Sequence, residues 1–141
     1  MHYALAAVAN ETNDRKACLD HTKELLGLRL EIQQQTQTID LRLGIAHNEH
    51  AIAWVMNGDY EQAARHFNDS IQVYQRLPDY WPGMDTNPRT NLGFTLWALN
   101  RLDEAYEMLY ALLQDREQRF GPMDRESYRS DFPRAIARRR C

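Results

Sequence analysis

Apolar and small residues recur along this chain at the spacing of a helix face. His47, His50, Ala51 and Trp54 stand at i, i+3, i+4 and i+7, one stripe of an amphipathic helix. Tyr60, Ala63, Phe67, Ser70, Ile71 and Tyr74 keep the same stripe through a second helix. Between the two lies Asn57-Gly58-Asp59, a tight turn in which Asp59 and Gln62 form a capping box for the second helix. The second helix ends before Pro78, because a residue preceding proline is pushed out of the α region. Ala51 and Ala63 are small where two helices must cross closely.

The unit then recurs. Residues 78–87 form a loop, PDYWPGMDTN, and Asn87-Pro88 restarts a helix with Asn as cap and Pro at its first position. Leu92, Gly93 and Leu96 continue the buried stripe, Leu102, Ala105, Leu109 and Leu112 carry the partner helix, and Phe120-Gly121-Pro122 stops it. Placing Ala63 over Ala105 gives a period of 42 residues, and Cys18 falls 45 residues before Ala63. Upstream, residues 1–12 read as the end of a helix, Asn13-Asp14 as a turn imitating Gly58-Asp59, and residues 15–33 as the following helix, with a polar stretch up to Thr38. The expected architecture is all-α, a solenoid of antiparallel helix pairs. Its units span about residues 1–38, 39–85 and 86–122, with a broken unit beginning at 123–132 and a basic tail, expected to be disordered, at 133–141. Because Met1 and Cys141 both fall mid-pattern, the chain is expected to be a fragment of a longer array.

Charge narrows the range of partners. Residues 1–124 hold 11 basic and 18 acidic side chains, so the body is acidic, whereas residues 125–141 hold 6 and 2. The body has no electrostatic footprint for nucleic acid, and the arginine run lacks interleaved aromatics, so nucleic acid is not an expected partner. No run of about 18 apolar residues exists, so no membrane span is expected. Two cysteines, Cys18 and Cys141, cannot build a disulfide framework. Cys18 is expected simply to pack, and a reduced, cytoplasmic setting is the default.

The residues resemble the tetratricopeptide repeat: His47, His50-Ala51 and Trp54 in a first helix, then Gly58-Asp59-Tyr60, Ala63 and Phe67. The second unit offers Leu92-Gly93, Leu96, Asn100, Ala105 and Leu109. The long period and the run Arg116-Glu117-Gln118-Arg119-Phe120-Gly121-Pro122 are similar to the kinesin-light-chain type. The resemblance implies a right-handed superhelix whose first helices line a concave face, and a protein- or peptide-binding scaffold without catalysis of its own. The alternative it implies is a regulatory segment of a larger NTPase-type protein. Tyr3, Asn48, Ile52, Met56, Asn91, Phe94 and Trp97 would then lie on or near the concave face. There, amides can hold an extended peptide while apolar neighbours supply pockets. Uncapped terminal helices would also permit self-association.

Other candidate chemistry is thin. His47, His50 and His66 form a metal site only if they converge with a carboxylate or a third imidazole. The repeat pattern already accounts for His47 and His50 as core residues, so neither a metal nor an enzyme built on this cluster is expected. His66 and Ser70 stand at i, i+4 beside Asp69, but mid-helix backbone offers no oxyanion hole. The six glycines are isolated and no phosphate loop occurs, so no cofactor is expected.

Overall fold

A computed structural model describes residues 4–120 of the chain, all five of whose elements are helices: α1 Ala4–Thr36, α2 Leu41–Met56, α3 Tyr60–Gln75, α4 Thr86–Ala98 and α5 Leu102–Phe120. Neighbours in sequence are neighbours in space: α2 packs on α1 and α3, and α4 packs on α3 and α5. Residues 123–132 and 133–141, Gly121-Pro122 and Tyr3 lie outside the described residues.

The junctions inside the two pairs are built alike. Gly58, at φ +82°, donates its N–H to Val55 O at 3.0 Å, and Asp59 N–H reaches back to Trp54 O at 3.0 Å. That pair of bonds closes the last turn of α2 as a Schellman motif. Asp59 then caps α3, accepting from Gln62 N–H at 3.1 Å. At the α4–α5 junction Asn100, at φ +62°, donates to Trp97 O at 3.0 Å, and Arg101 N–H donates to Leu96 O at 2.9 Å. Asparagine tolerates the left-handed region better than most residues, so it replaces glycine here.

Small residues let the helices close. Ala63 is 0 % exposed and Ala105 2 %. Gly93 faces Leu109 so tightly that a Cβ would lie 2.5 Å from Leu109 Cδ2. One core joins α2 to α5 through Ala51, Ile52, Ala63, Phe67, Leu92, Leu96 and Ala105. A smaller one ties α1 to α2 and α3 through Leu26, Leu43 and Val73.

Two expectations are corrected. No turn forms at Asn13-Asp14, because α1 runs unbroken from Ala4 to Thr36. Neither residue is a glycine, and each costs a helix interior only about 0.7 kcal/mol, too little to end it. The left-handed residue of this region lies between α1 and α2 and is Gln37, at φ 58°, and Asp40 caps α2 by accepting from Arg42 N–H at 2.7 Å. Second, α4 begins at Thr86, so Asn87 is not its cap. Pro88 sits in the first turn, where its missing N–H costs nothing. Cys18 is buried in α1, as expected.

Along α1, Leu25, Leu28 and Ile32 are 45 %, 55 % and 45 % exposed. Their counterparts 45 residues on, Ser70, Val73 and Leu77, are buried.

Candidate functional site

Asn48 on α2 and Asn91 on α4 meet where the first helices of the two pairs touch. Both are buried, and Asn91 Nδ2 donates to Asn48 Oδ1 at 3.2 Å. The amides close on each other, setting the spacing of α2 and α4. Asn91 Oδ1 has no hydrogen-bond partner, the one such buried side-chain atom among the described residues. Ile52 is 1 % exposed and belongs to the core, so it supports this face from beneath and does not line it. Met56 and Phe94 are half-buried, and Trp97 is 64 % exposed. Of the six residues expected here, Met56, Phe94 and Trp97 thus offer apolar surface to solvent. Sequence reasoning missed Leu41 and Ile45, exposed on α2. Their i, i+4 spacing was available, but nothing in it says which apolar positions a neighbour leaves uncovered.

A second concavity lies between α3 and α5 with α4 as its floor, a groove of about 880 Å³. Ala64, Ile71, Leu92, Leu96 and Met108 line its bottom, and Glu61, Arg65, Arg101, Glu104 and Glu107 its rim. One end is closed by a polar network around Asp85, which is 0 % exposed. Asp85 accepts from Gln75 Nε2 at 3.1 Å and from the Tyr80 hydroxyl at 3.2 Å. Arg89 lies 3.7 Å from Asp85 and pairs with Asp115 at 2.8 Å. A buried carboxylate is tolerated only with such partners. Its demand for them explains why Asp85 gives no side-chain bond to the helix that it precedes. Burial, and then Asp85, raise the Tyr80 pKa. The loop is also held by Arg119, whose guanidinium stands over the Trp81 ring at 4.4 Å.

The histidines gather between α1, α2 and α3. Trp54 Nε1 donates to His50 Nε2 at 3.2 Å, which makes that nitrogen the acceptor. Its Nδ1, 2.8 Å from Thr22 Oγ1, is therefore the protonated one and donates, while Thr22 donates to Leu19 O at 3.1 Å. This directed chain suits only a neutral imidazole. Burial, then His66, His47 and Lys23, lower the His50 pKa to about 4. His47 and His66 are also lowered, by burial first, with Asp69 pulling both the other way. Ser70 is fully buried and donates to Gly44 O at 2.6 Å, so the His66/Ser70 pair serves helix packing.

Two stretches of the chain match family models, residues 89–134 and residues 44–68, both described as Tetratricopeptide repeat. The second covers most of the α2–α3 pair and the first begins in α4 and includes α5. No curated protein and no solved structure matches the chain. No described helix is long and apolar enough to cross a membrane.

Proposed function

The chain belongs to the tetratricopeptide repeat family, and on that premise we propose that it is a scaffold whose α2–α4 face holds a peptide segment of a protein partner. The observation that carries this reading is Trp97, 64 % exposed on α4 with half-buried Phe94 one turn away. Exposed aromatics of this kind are the usual anchors of protein interfaces. Met56, Leu41 and Ile45 extend the apolar strip along α2. The Asn48–Asn91 bridge beneath it keeps the two helices at a fixed separation, so the face is preformed and binding does not have to order it. The 42-residue period and the Arg116–Phe120 run that ends α5 support a place in the kinesin-light-chain type.

A peptide library displayed against the immobilised chain supplies the test ligand. Trp97→Ala should lose most of the captured peptides. If the selected peptides instead bind Trp97→Ala as they bind the parent, this face is not the binding site.

A further inference from the structure

We propose that His47, His66 and Asp69 bind a divalent first-row transition metal of the zinc class, clamping α2 to α3 in the central pair. This goes beyond peptide binding and does not depend on it. His66 and Asp69 stand three apart on one face of α3, and His47 comes to meet them from α2. One ligand atom from each of the three lies within 4.8 Å of the other two. That is the convergence with a carboxylate which spacing along the sequence does not establish.

The distance between the two imidazoles is the informative one. His47 Nδ1 and His66 Nδ1 are 3.4 Å apart, with the rings stacked at 29° and centroids 5.6 Å apart. A hydrogen bond donated by a nitrogen is ordinarily about 2.9–3.0 Å long. Two nitrogens held about 2.0–2.1 Å from one tetrahedral zinc ion lie about 3.3–3.4 Å from each other. The pair is thus spaced as an edge of a metal tetrahedron. Asp69, whose carboxylate lies within 4.8 Å of both, supplies the third ligand.

Burial lowers the pKa of both imidazoles, which favours the neutral form that coordinates. Asp69 supplies a negative charge to the cluster, against the positive fields of Arg65 on α3 and Lys23 on α1. His50, its ring 4.7 Å from that of His66, is a wall of the site and not a ligand, since both its nitrogens are engaged. Two nitrogens and one oxygen favour zinc, cobalt or nickel over calcium or magnesium. Three protein ligands leave the fourth position to water.

The test uses the full chain, stripped with a chelator and titrated with Co2+, whose visible d–d bands report coordination. One equivalent should bind, Zn2+ should displace it, and melting should shift upward with Zn2+. Asp69→Asn and His66→Gln should each weaken Co2+ binding about tenfold or more, whereas His21→Gln, exposed on α1, should not. NMR of the imidazoles in the unmodified chain removes any dependence on how the variants fold. Zn2+ should move the His47 and His66 resonances and leave His21 unmoved. No saturable binding, or binding that leaves the His47 and His66 resonances in place, would overturn the proposal.

Discussion

Gly58 and Asn100 occupy the same place in two successive pairs, and both are left-handed. Nothing stands within 4 Å of where a Gly58 Cβ would be, so any penalty there is conformational and not steric. Gly58→Ala should therefore cost about 1–2 kcal/mol, while Gly58→Asn should cost clearly less, as Asn100 already shows. Urea melts decide it: equal stability of Gly58→Ala and the parent would mean that the turn does not need the left-handed residue. The turn was legible in the sequence because Asn57-Gly58-Asp59 carries both a left-handed residue and a cap. Gln37 was not legible, since a glutamine advertises neither role. His50 makes a second residue-scale prediction, for metal-free protein. An unfolded chain protonates its histidines near pH 6.5, whereas burial, His66, His47 and Lys23 hold His50 down to about 4. Its contribution is complete above pH 6.5 and is lost as pH falls toward 4, because only the unfolded state takes up the proton. The loss from His50 reaches roughly 3 kcal/mol by pH 4, and His47 and His66 add to it with the same sign. Melting temperatures should drop across that window and drop less steeply in His50→Gln. A flat profile in the parent would contradict the neutral hydrogen-bonded chain.

At the scale of elements, the helix crossings at Ala63 and Ala105 decide how each pair packs. Both are buried in one shared core. Ala63→Leu and Ala105→Leu should each cost about 1–3 kcal/mol by overpacking, read as a lower midpoint in thermal melts. Two variants as stable as the parent would mean that the 42-residue register is wrong. These crossings were readable because small residues at helical spacing report a close approach directly. The path of α1 was not. Asn13-Asp14 has the residues of a turn, but a turn also needs packed neighbours that make leaving the helix worthwhile, and local sequence does not show those. The start of α4 was misplaced by two residues for a related reason. Asp85 looks like an ordinary loop acid until Gln75, Tyr80 and Arg89 are seen to converge on it.

For the whole molecule, periodicity gave the order of the helices and the pairs that they form. It could not separate side chains facing a neighbouring helix from those facing open space. Ile52 and Trp97 look equivalent as apolar positions, but one is 1 % and the other 64 % exposed. The α3–α5 groove and the approach of Asp69 to His47 and His66 were invisible for the same reason, since both arise only when separate helices are stacked. Two surfaces therefore compete as the peptide site, and Trp97 and Glu107 belong to one each. The direct measurement is the dissociation constant of a selected peptide for the parent, Trp97→Ala and Glu107→Ala, titrated side by side. Loss of a central aromatic anchor, about 2 kcal/mol or more, corresponds to about 30-fold weaker binding by Trp97→Ala, with Glu107→Ala within about twofold of the parent. The reverse order, Glu107→Ala impaired and Trp97→Ala unchanged, would place the partner in the groove and contradict binding on the α2–α4 face.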